Sequence, residues 1–203
     1  MKNFNRYVLL ISIIVLSVTG CKNPNESSKN DSEIIEKIIP ENLKWSERMM
    51  LSEIERFPKP SLLDFRKDPK WSYTPGLVLQ ACSRVYEKTG KQKYYDYIYA
   101  YADEMIDSMG NIKTYKLSNQ NLDMIKSGDV LLYLYPKTKE ERFLKAMETL
   151  NSQMESQPKT SDGGYWHKKI YLYQMWLDGL YMAEPFHTRY AKEYIEDMAE
   201  KQK

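Results

Sequence analysis

Val85-Tyr86-Glu87-Lys88-Thr89-Gly90-Lys91-Gln92-Lys93-Tyr94-Tyr95 aligns with Leu134-Tyr135-Pro136-Lys137-Thr138-Lys139-Glu140-Glu141-Arg142-Phe143-Leu144, 49 residues further on (134 − 85). Each stretch reads as the end of one helix, a short Thr-containing turn and the start of the next. A shorter echo, Arg189-Tyr190-Ala191, follows Arg142-Phe143-Leu144 by 47 residues. A helix pair repeated at this period cannot bury its apolar face alone. Such pairs stack on one another as a solenoid or close into a toroid.

Outward from the repeat, the apolar spacing predicts more helices. Glu41 to Arg56 has Leu43, Met50, Leu51 and Ile54 on one face, and Pro58 and Pro60 end it. Further helices are predicted at Thr74–Lys88, Gln92–Ser108, Gln120–Tyr135, Glu140–Gln157, Tyr173–Ala183 and His187–Glu200. No stretch alternates as a half-buried strand does, so the class is all-α. The last ten residues, from Tyr194, form an amphipathic pattern without a glycine cap or proline stop. They read as a chain ending at the edge of a helix, as a truncated product would, or as a surface helix closing the domain.

The amino terminus has a different character. Lys2 and Arg6 precede an apolar run from Tyr7 to Val18, and Val18-Thr19-Gly20-Cys21 has the small residues and cysteine of a lipoprotein cleavage box. A run of about a dozen residues is too short for a permanent span. Residues 1–20 are therefore expected to be a signal peptide, with Cys21 lipidated after cleavage. This makes the protein an exported lipoprotein of the periplasm or outer membrane of a Gram-negative bacterium, held to the membrane by its lipid. The alternative is a plain signal peptide and an incidental cysteine. Residues 21–31 are polar and aperiodic, a flexible tether, and residues 32–203 form the folded domain.

Composition narrows the rest. The formal net charge is +2 with no basic stripe, which argues against nucleic acid as a partner. Seventeen tyrosines and four tryptophans fit a sugar-binding cleft and fit an ordinary core equally well. With Cys21 lipidated, Cys82 is the only other cysteine, so no internal disulfide forms. Cys82 sits on the apolar helical face Leu77–Cys82 and reads as a buried, inert thiol rather than a nucleophile.

Three features carry candidate chemistry. The first is Gln174-Met175-Trp176-Leu177-Asp178-Gly179-Leu180-Tyr181-Met182, one carboxylate in a stretch apolar nearly all round. A helix apolar on every side is buried. A lone buried carboxylate must be paired or hold a proton, which suits a group acting first as acid and then as base. The competing reading is a purely structural Asp satisfied by a helix amino terminus. The second is Asp123, which interrupts the apolar run Leu122–Ile125 and lies 55 residues before Asp178 (178 − 123). If equivalent helices face one axis, the two carboxylates share a cleft; otherwise Asp123 is a helix cap. The third is Gly163-Gly164-Tyr165-Trp166-His167-Lys168. Here a glycine loop tip is followed by aromatic rings and positive charge suited to a sugar carboxylate. It also reads as a plain turn with a half-buried Trp166. His167 and His187 are isolated in sequence, so no metal is expected, and no phosphate loop or nucleophile elbow calls for a cofactor.

In this order the segments Asn121-Leu122-Asp123, Gly163 to Lys168, and Gln174 to Ala183 followed by Pro185-Phe186 resemble glycoside hydrolase family 105 and the related family 88. The resemblance runs from about Trp45 to the end. It implies an (α/α)6 toroid, present here as roughly its first half. It implies a substrate left by a pectin or glycosaminoglycan lyase, with a 4,5-unsaturated uronic acid at its non-reducing end. The implied reaction hydrates that double bond, with Asp178 as acid and base and Asp123 as its companion carboxylate. His167 and Trp176 match sugar-contacting positions, and Tyr73 does so on a looser alignment; Trp166 and Lys168, in the loop that carries His167, are the further substrate-binding candidates. Lys126, Lys159 and Leu172 depart from the family pattern, which puts substrate preference in question. The alternatives are a helical-repeat lipoprotein that binds sugar or protein without catalysis, an inactive truncated hydrolase, or a conventional inverting glycosidase. The last needs a second carboxylate about 6.5–9.5 Å from the acid.

Overall fold

The computed structural model describes residues 39–195. The export segment, the lipidation site Cys21, the tether, the expected domain start at Ser32 and residues 196–203 lie outside the described residues. Within them are six α-helices: α1 Trp45–Arg56, α2 Tyr73–Thr89, α3 Gln92–Met105, α4 Gly128–Thr138, α5 Glu141–Ser156 and α6 Leu177–Tyr190. The class is all-α, and among the described residues the only β pairing is three isolated bridges. No described helix is long and apolar enough to cross a membrane.

The repeat is structural. Helix α2 ends on Gly90 at φ 66° and α4 ends on Lys139 at φ 58°. These are equivalent positions of the two copies. Each puts a left-handed residue after the helix, and its N–H donates back to the carbonyl of Tyr86 or Tyr135. This closes the helix and turns the chain back. The pairs α2–α3 and α4–α5 are therefore hairpins. Helices α2, α4 and α6 neighbour one another in a front row, while α3 and α5 pack behind them and α1 lies against α2. Since each hairpin reverses the chain, the front-row helices run the same way. Tyr73, Gly128 and Leu177, their first residues, then share one end, where the three loops 57–72, 106–127 and 157–176 meet.

Three expected boundaries move. The helix expected from Gln120 begins at Gly128 instead. The backbone of 120–122 is spent elsewhere: Leu122 N–H donates to the His167 carbonyl at 3.0 Å, and Gln120 C=O accepts from Lys169 at 3.0 Å. The two helices expected at Tyr173–Ala183 and His187–Glu200 are a single helix through Pro185. Proline removes one helical hydrogen bond, and the complete burial of Phe186, worth roughly 1.5–3 kcal/mol, offsets that loss. The third echo of the repeat is not equivalent: Arg142-Phe143-Leu144 opens α5, whereas Arg189-Tyr190 closes α6. Three matching residues were too few to fix a register.

Close contacts lock the front row. A Cβ on Gly76 of α2 would lie 2.7 Å from the Ser127 nitrogen, so only glycine lets α2 approach the start of α4. Trp71, fully buried, stacks on Tyr101 with centroids 5.7 Å apart. Its indole N–H donates to the Met124 carbonyl at 2.7 Å. One loop is thereby pinned to the next. Cys82 is fully buried as expected, and its thiol donates to the Tyr94 carbonyl at 3.5 Å.

Candidate active site

Asp123 sits in a single 3-10 turn, Leu122–Met124, just ahead of α4. It is not the cap of that turn; Asn121 is, its side-chain oxygen accepting from the Asp123 N–H at 3.0 Å. Asn121 also bridges to Lys168 of the next loop, which sets the two strips of chain side by side. This register delivers His167 and Lys168 to Asp123. The His167 Nε2 is 3.1 Å from Asp123 Oδ1, and the Lys168 ammonium is 2.7 Å from Oδ2. The positive group expected to greet a sugar carboxylate is therefore paired with Asp123.

His167 has a 1 % exposed side chain, and its Nδ1 faces Asp178 Oδ1 at 4.0 Å. That nitrogen is buried without a hydrogen-bond partner. Gly179 makes the approach possible: a Cβ there would stand 3.1 Å from Nδ1 and 3.3 Å from Leu122 Cδ1. One donor atom each from Asp123, His167 and Asp178 lies within 4.8 Å of the others. Two carboxylates and an imidazole at that spacing can hold a proton between them or grip a small cation. Asp123 and Asp178 were expected to share a cleft; that His167 stands between them is marked by no spacing in the sequence, because the three come from separate segments.

The expected burial of Asp178 does not hold. Its side chain is 52 % exposed. Helix α6 begins only at Leu177, so Asp178 occupies the first helical turn rather than the middle of a buried helix. The flanking residues Met175, Leu177, Leu180 and Tyr181 are exposed as well; the stretch is apolar in composition without being interior. An acidic side chain in a first turn is favourably placed toward the helix dipole.

The aromatic candidates separate. Trp176 stacks on His167 at 4.4 Å and 9° and on Tyr171 at 5.2 Å and 13°, so its indole already engages two rings. It remains 42 % exposed. Trp166 pairs instead with Tyr173, edge to face at 4.7 Å. Tyr73 opens α2 at the same end of the front row, exposed and without a stacking contact to His167 or Trp176.

Sequence reasoning missed the scaffold behind the cluster. Gln153 on α5 and Gln157 just past its end, both buried, hold the two loops together. Gln153 donates to the Asn121 carbonyl at 3.0 Å, and Gln157 donates to the carbonyls of Gln120 and Trp166 at 2.9 and 2.8 Å. Polar residues at i and i+4 amid the buried Leu150 and Met154 were the available signal. Tyr171 and Lys126 were also not singled out for the roles they take.

A family model, Glycosyl Hydrolase Family 88, matches residues 45–201. The solved structure of a family 105 glycoside hydrolase from C. acetobutylicum ATCC 824 aligns with a TM-score of 0.67 and 36 % identity, over 75 % of this chain. The chain spans 40 % of the length of that protein.

Proposed function

The chain belongs to Glycosyl Hydrolase Family 88, and from that premise we propose that it is the Asp-bearing part of a hydrolase for unsaturated uronides. The substrate class is a lyase-generated pectin fragment of the rhamnogalacturonan type, ending in a 4,5-unsaturated uronic acid. The observation that carries the reading is the meeting of Asp123, His167 and Asp178 at one end of the front-row helices.

In the proposed reaction Asp178 acts as the acid and gives its proton to ring carbon four, leaving oxocarbenium character at carbon five. The resulting carboxylate takes a proton from the water that attacks carbon five. The hemiketal so formed opens to a ketone at carbon five, and the freed hemiacetal at carbon one collapses to an aldehyde and releases the remaining sugar chain. Exposure of Asp178 supports this role, since an acid buried out of reach cannot meet carbon four. Asp123, fixed by Lys168 and His167, holds the imidazole in place, and the exposed part of Trp176 offers an apolar contact to the sugar. We propose further that the protein is exported and lipidated at Cys21.

The test is a panel of lyase-made disaccharides, followed by the fading of the conjugated uronate's ultraviolet absorbance. Asp178→Asn is expected to abolish the fading with the melting curve unchanged. Turnover retained in that variant would remove Asp178 from its role.

A further inference from the structure

Three residues after Asp178, on the same side of α6, stands Tyr181. Its hydroxyl donates to Gln80 Oε1 of α2 at 3.1 Å, and its ring lies 3.9 Å from the Lys126 ammonium. Lys126 is 0 % exposed. It donates to Asp129 Oδ2 at 2.8 Å and to Gln80 Oε1 at 3.2 Å, and Gln80 Nε2 donates to the same Asp129 oxygen at 3.0 Å. One polar cluster therefore touches α2, α4 and α6.

Such a cluster is costly. Its ammonium lies just ahead of α4, where the helix dipole repels a cation, and burial removes its hydration. Apolar side chains of similar volume would hold three helices together at least as well. The cluster supplies direction instead: Lys126 and Asp129 belong to one stretch at the start of α4, and Gln80 of α2 and the Tyr181 ring of α6 must meet that pair at set angles and distances. Met182, Ala183 and Phe186 are buried further along α6, but Leu177 and Leu180 are exposed, so the end that carries Asp178 is held by Gly179 against His167 and by Tyr181.

We infer that Lys126 and Tyr181 are positioning residues: they fix the register of α6 against α2 and α4, and through it hold Asp178 beside His167. The kinetic part of this inference rests on the hydrolase reading; the structural part does not.

The test compares Tyr181→Leu with Tyr181→Phe in the full chain. Amide hydrogen exchange at residues 180–184, the first amides of α6 with a helical partner, should speed up about tenfold in the Leu variant, while amides of α3 stay within about twofold. The Phe variant keeps the ring over the ammonium and should stay within about threefold. The double variant Lys126→Met with Asp129→Asn, which removes the charges together, should loosen the same five residues. In turnover, the Leu variant should lose about tenfold in kcat with KM within about twofold, and Phe should restore most of it. Exchange that rises equally in every helix, or that stays unchanged at 180–184, would overturn the inference. So would a Phe variant as damaged as Leu. Absence of turnover in the unmutated chain would count against the hydrolase reading alone, and the exchange comparison would still decide this one.

Discussion

Replacing Gly179 with alanine tests whether the closeness of α6 to His167 is functional. The backbone at Gly179 lies outside the left-handed region, so space alone opposes a side chain. The new Cβ would stand 3.1 Å from His167 Nδ1 and 3.3 Å from Leu122 Cδ1, a few tenths of an ångström inside ordinary contact of about 3.5–4.0 Å. Neither neighbour can retreat freely. His167 is held by Asp123 and Trp176, and Leu122 is buried. Crowding of this kind costs about 1–3 kcal/mol, against a gain of about 1 kcal/mol for alanine over glycine in a helix. The net loss lies between zero and about 2 kcal/mol, a fall in melting midpoint of no more than about 8 °C for a chain of this size. Turnover should fall about tenfold or more if His167 orients the two carboxylates as proposed. Gly90→Ala is the control. Gly90 has φ 66° and nothing within 4 Å of its Cβ, so it costs about 1 kcal/mol of backbone strain far from the site. Thermal melts, the ultraviolet assay and the His167 ring resonances are compared in both variants. Unchanged His167 resonances and turnover in Gly179→Ala, or equal harm to turnover from Gly90→Ala, would show that the close approach is not functional.

Other outcomes follow from buried groups. Desolvation pushes the Cys82 thiol up to about 12, so a Cys21→Ser chain should resist iodoacetamide at about pH 8 until unfolded; labelling of the native protein at the unfolded rate would contradict this. Hydrogen bonds from Lys91 and Tyr94 hold the Glu47 carboxyl below its ordinary 4.5 despite its burial. Its ionised form is therefore favoured on folding, giving stability that is complete above the ordinary value and lost as pH falls through the lowered one. Glu47→Gln should cost about 1–2 kcal/mol at neutral pH, and the deficit should shrink in acid; a deficit that does not shrink would refute the assignment. Gln153→Leu deletes the donor to Asn121 and the acceptor of the Tyr115 hydroxyl at 2.7 Å. It should lower stability by about 2–3 kcal/mol in denaturant titrations, and an unchanged midpoint would show that the loops are held otherwise.

The helical class and the hairpin repeat were legible because both rest on local signals. Thr89-Gly90 and Thr138-Lys139 mark the same turn with different residues, and the left-handed cap appears in both. Asp123 and Asp178 were legible as isolated acids, and their meeting through His167 follows the expected order of motifs. Their settings were not legible. Asp123 lies in a 3-10 turn because the backbone around it pairs with the 165–169 loop, a contact that helical periodicity cannot register. Asp178 is exposed because the apolar residues around it face outward, and composition does not distinguish a buried apolar run from an uncovered one. Lys126 was read as a departure from a family pattern. That it is buried depends on Gln80 and Tyr181, which are far from it in sequence.

The proposed reaction adds water to carbon five of an enol ether, not to the anomeric carbon. Turnover in water labelled with oxygen-18 and deuterium, followed by mass spectrometry and NMR of the released uronate, tests this most directly. Hydration of the double bond puts label oxygen in the new ketone at carbon five and deuterium on carbon four. Label oxygen at carbon one with carbon four unlabelled would contradict it and return the chain to conventional glycoside hydrolysis.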